Sequence, residues 1–347
     1  MIAGAEQAEK TIDWSDDGLE LRIDVDRAGT ARIARLRAPT PPRGPDPADQ
    51  PEPIRSDAAL PLLDVVLAGE GRGRSGGRYG ESPAGRRFRY ADHTGCGEPA
   101  SDGWRELRVD LHEPVTGLRA AVFYRVLDGR GSLRSWVRIE NEGPRPVTLQ
   151  SVTSFLCGGL ADPDDPEDLD LLWAENDWLA ESRWQRRTLR DALPDLDRGA
   201  HGGDPRGRFG LTSLGTWSSG TYLPMGAVVN GSTGHAWAWQ IEHNGGWHWQ
   251  VGERGAAGGV YVALLGPTDP EHHWRVTLAP GESFTTVPVT VAVSGAGFDG
   301  AVAALTASRR ASRRRCRSTR RRRPRPPRPG VAADRWSGRP SACSCSR

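Results

Sequence analysis

The sequence predicts an all-β protein: a large antiparallel β-sandwich, or supersandwich, with a short C-terminal helix and a disordered Arg/Pro-rich tail. Three observations lead there. About a dozen short apolar runs are separated by turn residues, as in an antiparallel sandwich. No segment before residue 297 keeps a 3.6-residue apolar period over several turns, so the alternating helices of a doubly wound α/β fold are missing. The charge is also uneven: the chain of 347 residues has a formal net charge of +2, but 306–347 holds 15 Arg against the single acid Asp334. The body, 1–305, is therefore acidic.

The elements follow in order. Leu19 to Asp26 alternates apolar and charged residues, the pattern of a half-buried strand. A turn at Arg27-Ala28-Gly29 leads into 31–38, completing a hairpin. Seven prolines between Pro39 and Pro53 forbid regular structure there. Further strands are expected at 60–68, 86–92, 104–112, 117–127, 132–140 and 146–157. Within 117–127, Leu118, Ala120, Val122, Tyr124 and Val126 share one face. Later strands are expected at 209–214, 225–229, 235–242, 246–252, 259–265, 273–279 and 284–293, and 173–192 could include a short helix. Glu140 to Pro144 and Asn230 to Gly234 read as turns between strands. Phe298 to Ala307, with Val302 and Leu305, is the best helix. The expected domains are a sandwich over 1–297, a linker helix over 298–307 and a basic tail over 308–347.

The motifs that could carry chemistry are weak. Gly71-Arg72-Gly73-Arg74-Ser75-Gly76 matches a dinucleotide fingerprint, but Gly77, Gly80, Pro83 and Gly85 prevent the helix a pyrophosphate needs behind it. Asp162 to Asp168 is rich in oxygen ligands. Pro166 and Glu167 occupy the positions where a calcium loop needs an oxygen ligand and a glycine. His243 and His248 have an odd spacing and point to opposite faces of a strand. No metal and no other cofactor is expected. The tryptophans say more, because nine of the 13 lie between Trp173 and Trp274. Trp237 and Trp239 share a face of one strand, and Trp247 and Trp249 share a face of the next. They pack a core between sheets or form a carbohydrate or inter-domain surface. No His-Glu-x-x-His occurs.

Several runs, in order along the chain, resemble the N-terminal region of glycoside hydrolase family 36, the bacterial α-galactosidases. They include Leu133-Arg134-Ser135-Trp136 leading to Glu140-Asn141-Glu142-Gly143, and Asn176-Asp177-Trp178-Leu179-Ala180-Glu181-Ser182-Arg183-Trp184-Gln185. Gly215-Thr216-Trp217-Ser218-Ser219-Gly220 follows. The most telling run is Ala236-Trp237-Ala238-Trp239-Gln240-Ile241-Glu242-His243-Asn244-Gly245-Gly246-Trp247-His248-Trp249. The resemblance covers about residues 10–307, and its actinobacterial-like character agrees with a chain whose only lysine is Lys10. It implies a sandwich followed by a (β/α)₈ barrel, and retaining hydrolysis of terminal α-galactosides. That mechanism uses two carboxyl groups about 5–5.5 Å apart. In the family both are barrel aspartates, one in a Lys-Trp-Asp strand end. Lys10 is followed by Thr11 here, so no catalytic residue can be carried over. The resemblance places Glu242, His243, Asn244 and Trp247 nearest the barrel or substrate, with Asp177, Trp178, Arg183 and Trp184 as a second group. Galactoside is expected as a substrate only in the full-length context. The expected partners are the barrel or neighbouring subunits.

Residues 308–347 have two readings. A nucleic-acid arm would bind phosphates in a salt-dependent way, and a stand-alone carbohydrate-binding sandwich is the other alternative for the chain as a whole. The resemblance stops near Ala307, and Arg, Pro, Ser, Ala, Gly and Cys dominate beyond it, as when a GC-rich gene is read out of frame. A frameshifted, truncated α-galactosidase, inactive by itself, is the preferred expectation, and nucleic acid is disfavoured as a partner. No apolar run reaches the roughly 20 residues of a membrane helix. The opening MIAGAEQAEK has no apolar stretch to serve in export, so a cytoplasmic location is expected.

Overall fold

The alternation at the start of the chain folds as expected. β2 (Glu20–Val25) buries Leu21, Ile23 and Val25 and pairs with β3 (Ala31–Arg37). The sequence pattern did not announce β1 (Lys10–Asp13), which completes a three-stranded sheet on the free edge of β2. The computed structural model describes residues 9–39, 60–73, 77–95, 103–127, 129–161, 166–193, 207–254 and 259–322. The expected proline loop, most of the acidic loop and the last residues of the tail lie outside them.

Two larger antiparallel sheets form the sandwich. The strands that follow are β4 (Val65–Leu67), β5 (Arg89–Thr94), β6 (Trp104–Glu113), β7 (Leu118–Leu127), β8 (Ser132–Asn141) and β9 (Val147–Cys157). Next come β10 (Leu169–Asp177), β11 (Ala180–Thr188), β12 (Arg208–Ser213), β13 (Tyr222–Asn230), β14 (Ala236–Ile241), β15 (Trp247–Arg254) and β16 (Gly259–Leu265). The series closes with β17 (Val276–Leu278), β18 (Ser283–Thr285) and β19 (Val289–Ser294). One sheet has the order β11-β10-β13-β14-β19-β8-β7-β6-β5, with β18 also on β8. The other runs β12-β15-β16-β9-β17, with β4 also on β9.

Both tryptophan pairs lie in the core between these sheets. Trp239 on β14 and Trp249 on β15 meet edge to face, with centroids 5.2 Å apart, and both are fully buried. Trp237 donates its indole N–H to the Leu36 carbonyl at 2.7 Å and so ties the small sheet to the large one. Gly226 lies opposite Trp239, and a Cβ there would stand 2.6 Å from the indole Cζ2, so only glycine fits beneath the ring. A second apolar layer covers the outer face. Ala301 and Leu305 of a C-terminal helix pack there against Leu172, Ala227, Val229, Ala236, Ala238 and Ala292.

A buried carboxylate fixes the surface segment that precedes β5. Asp64 accepts hydrogen bonds from the Gly80 amide at 2.7 Å and from the amide and hydroxyl of Ser82. Burial pushes its pKa up, against the effect of these donors. Ser82 in turn caps α1 (Pro83–Arg87) by accepting from the Gly85 amide at 2.9 Å.

The structure departs from the sequence expectations elsewhere too. Strand 86–92 is replaced by α1 and then β5, because Pro83 at the first helical turn and the Ser82 cap favour a helix start. Strand 284–293 is two strands, β18 and β19, separated around Pro288, which has no N–H to give the ladder. In place of a possible helix over 173–192 stand β10, β11 and only a short α2 (Leu189–Ala192). β11 carries charges on both faces at the sheet edge, so no apolar alternation marks it. A short α3 (Asp269–His272) precedes β17. The helix expected over 298–307 is α4 (Gly297–Arg322), which runs on into the segment expected to be an unstructured tail. Arg and Ala are good helix formers, and no proline follows Pro288 until Pro324. Within the chain, Met1–Arg309 and Arg310–Arg347 are separate units. No described helix is long and apolar enough to cross a membrane.

Replacing Trp239 by Ala is expected to cost about 3–5 kcal/mol in chemical denaturation. Trp239→Phe should recover most of that, because the buried Trp239 Nε1 has no hydrogen-bond partner to lose.

Candidate functional site

One rim of the sandwich collects most of the candidate residues. β10 and β11 are joined through the Asp177–Ala180 pair, which leaves Trp178 and Leu179 as a two-residue turn. Trp178 is 74% exposed and Leu179 83%. The backbone there is strained: Leu179 has φ +60° and Ser182 φ +54°, a region that costs a residue with a Cβ about 1–2 kcal/mol. Side chains hold the turn in this form. Asp177 accepts from the Trp178 amide at 2.7 Å, and Glu181 accepts from the Leu179 amide at 3.3 Å.

Asn176 connects this turn to a neighbouring loop. Its side chain is nearly buried, donates to the Ser219 carbonyl and accepts from the Ser182 amide at 3.0 Å. Its backbone N–H donates to the Thr221 carbonyl at 2.8 Å. The loop 214–221 presents Trp217, 54% exposed, and Leu214, 74% exposed. Trp247 donates from Nε1 to the Ser218 carbonyl at 2.6 Å. Trp247 therefore serves the rim from below: it is fully buried, in keeping with the core-packing reading of its tryptophan pair.

Histidines brace the other side of the loop. The Thr268 amide donates to His272 Nδ1 at 3.0 Å, and His272 Nε2 lies 2.9 Å from the Ser213 carbonyl. The second contact places a ring hydrogen on Nε2, which donates to the Ser213 carbonyl. His272 packs on Gly246, where a Cβ would lie 2.2 Å from the ring, and His243 packs on Gly245. Burial lowers the pKa of His243, and the nearby His272 lowers it further. Beneath them, His248 is pushed down to about 4 by burial, which outweighs the opposing Glu271 charge. His248 Nδ1 is 2.7 Å from the Thr212 hydroxyl, and its buried Nε2 has no partner.

The remaining candidates do other work. Glu242 is half-buried and binds the Arg134 guanidinium, with a shortest distance of 2.9 Å, and the Thr290 hydroxyl at 2.5 Å. It ties the end of β14 to β8 and β19. Arg183 pairs with Glu175 at 3.4 Å. Trp184 contacts Phe298 of α4 edge to face at 4.8 Å, so it anchors the helix on the outer face. Asn244 is exposed in the corner between β14 and β15. The structure therefore joins Asp177, Trp178 and Trp247 through Asn176 and Ser218, with His243 beside His272. Arg183, Trp184 and Glu242 belong to other contacts. Leu179, Leu214 and Trp217 complete the rim and were not among the sequence candidates. The Gly-Thr-Trp-Ser-Ser-Gly run was the available signal for Trp217, since an indole between turn residues has no strand to carry it into a core. Chemically, the rim offers stacking faces and backbone carbonyls. Its carboxylates Asp177 and Glu181 already accept hydrogen bonds from the turn.

Leu179→Gly is expected to raise stability by about 0.5–1 kcal/mol in denaturant titration, because it relieves the positive φ and loses almost no burial. Unfolding midpoints between pH 8 and pH 4 test the buried imidazole. The folded pKa of His248, about 4, lies below its unfolded value, so the unfolded state binds the extra proton first. Stability should fall as pH drops from about 6.5 towards 4, and His248→Gln should flatten that slope.

Residues 68–197 match the family described as Glycosyl hydrolase family 36 N-terminal domain. Two curated relatives from Aspergillus terreus are similar to the chain. Probable alpha-galactosidase C is 28% identical over 213 residues, covering 59% of this chain and 25% of its own length. Probable alpha-galactosidase G is 27% identical and is covered over 26%. Among solved structures, the alpha-galactosidase AgaA of Geobacillus stearothermophilus superposes with TM-score 0.61 at 18% identity, covering 84% of this chain and 42% of that one. The alpha-galactosidase of Lactobacillus brevis gives 0.62 at 15% identity, covering 84% and 40%. The chain thus spans about a quarter of the curated relatives' length, and the part of it over residues 68–197 is similar to the N-terminal domain of glycosyl hydrolase family 36.

Proposed function

We propose that this chain supplies the non-catalytic N-terminal sandwich of an α-galactosidase. Its Trp178–Trp217 rim would face the barrel or the neighbouring subunit that holds the reacting carboxylates. The observation that carries the reading is the rim itself. Four large apolar side chains, Trp178, Leu179, Leu214 and Trp217, stand in solvent on loops fixed by Asn176 and by a strained turn. Exposed apolar groups held at a cost in backbone energy are what a docking or ligand-facing surface requires. Retaining glycoside hydrolysis needs one carboxylate to attack and one carboxylic acid to protonate the leaving oxygen. The carboxylates at this rim are instead committed to holding its backbone, which supports a supporting role and not a chemical one.

A second reading is favoured by the exposure of both indoles, whose faces can stack on the C–H side of a galactose ring. In it, the sandwich binds galactosides unaided. Two measurements on the chain separate the readings. The first reading expects no hydrolysis of a chromogenic α-galactoside and no saturable heat on titration with melibiose. Turnover would overturn it. Saturable heat that disappears in both Trp178→Ala and Trp217→Ala would establish the second reading in its place.

A further inference from the structure

The Trp178 turn lies at the β11 edge of the ten-stranded sheet, and a different site lies at the β5 edge. There the Tyr90 amide donates to the Gly29 carbonyl at 2.7 Å, joining β5 to the turn between β2 and β3. The junction borders an open surface cleft of ≈ 420 Å³, within the size range of small-molecule sites. Its polar wall is made by Lys10, Arg27, Glu9 and Asp26, and its apolar wall by Val25 and the Tyr90 ring.

The charges in this cleft are not balanced. Lys10, the only lysine among 46 basic residues, donates to Tyr90 Oη at 2.6 Å and lies 4.6 Å from the centre of that ring. An ammonium group has only donors, so the phenol oxygen accepts from it and directs its own hydrogen to His93 Nδ1, 2.6 Å away. Tyr90 thereby fixes Lys10 without neutralising it. Asp26 does not neutralise it either: one oxygen accepts from the Thr30 amide at 2.8 Å, and the other is paired with Arg32. Among the described residues, neither Lys10 nor Arg27 has a carboxylate within ion-pair distance. Two cations therefore face the cleft against one uncommitted carboxylate, Glu9.

We propose that this cleft binds the phosphate monoester of a small polyhydroxylated molecule. A phosphate group carries enough charge and enough acceptor oxygens to engage an ammonium and a guanidinium together. A neutral sugar would leave both cations unpaired. Glu9 is placed to accept hydroxyl hydrogens, and Val25 with the Tyr90 ring covers the C–H side of such a ligand. The site is separate from the galactoside reading of the opposite edge and does not depend on it.

The single lysine makes the test direct. The full chain, labelled with ¹⁵N-lysine, shows one lysine backbone amide resonance, that of Lys10. Titration with glucose 6-phosphate is expected to move it saturably, while glucose leaves it in place and inorganic phosphate binds more weakly. Arg27 is an exposed turn residue, so Arg27→Gln keeps the fold, as an unmoved Lys10 resonance in the free variant would report. That variant should bind glucose 6-phosphate at least about tenfold more weakly, the loss of one charge-assisted contact. No shift with glucose 6-phosphate, an equal shift with glucose, or unchanged affinity in Arg27→Gln would each overturn the anion site. Equal affinity for inorganic phosphate would overturn the assignment of a polyhydroxylated body.

Discussion

The contact between Trp239 and Trp249 organises this protein. The two indoles come from consecutive strands that belong to different sheets. Burying both rings against each other forces the chain to leave one sheet at Ile241 and enter the other at Trp247. The corner between them, with His243, Asn244 and the two glycines, is therefore placed at the rim by core packing and not by any local preference. Gly226 allows the arrangement by leaving room beneath the Trp239 ring. Trp237 extends it by binding the small sheet through Leu36.

From that corner the rim is assembled by hydrogen bonds between loops. Trp247 holds Ser218, Asn176 holds Ser219 and Thr221, and His272 holds Ser213. The side chains of Trp247, Asn176 and His272 are buried or half-buried and bonded to backbone carbonyls, and the Asn176 backbone N–H adds the bond to Thr221, so the exposed indoles rest on a hydrogen-bonded layer. The cost appears at the turn and in the first residues of β11, where Leu179 and Ser182 have positive φ. A sandwich selected for stability alone would place Gly at the turn and a polar group where Trp178 stands.

The two edges of the large sheet are finished differently. At β11, Arg183 and Arg186 pair with Glu175 and Asp170, which guards an open edge with charge. At β5, the Tyr90–Gly29 hydrogen bond joins the small sheet to the edge, beside a cleft where, among the described residues, Lys10 and Arg27 have no carboxylate within ion-pair distance. Similarity to a glycosidase family's N-terminal domain bears on the sandwich but gives no account of that cleft.

Much of this was legible in the sequence. The alternation in Leu19 to Asp26, the turn residues at Asn230 to Gly234 and the lack of helical periodicity determine an antiparallel sandwich, because a side-chain period of two is a local property of the chain. The spacing of Trp237 with Trp239, and of Trp247 with Trp249, likewise determines that each pair shares a face. Sequence could not decide which face was the core, since packing and ligand stacking favour the same residues. Only the tertiary structure buried those four indoles and left Trp178 and Trp217 outside. It alone turned the charged run of β11 into an edge strand, carried α4 through to Arg322, and brought Lys10, Arg27 and Tyr90 to one cleft. Each of these depends on partners distant in the chain, and local pattern does not encode that proximity.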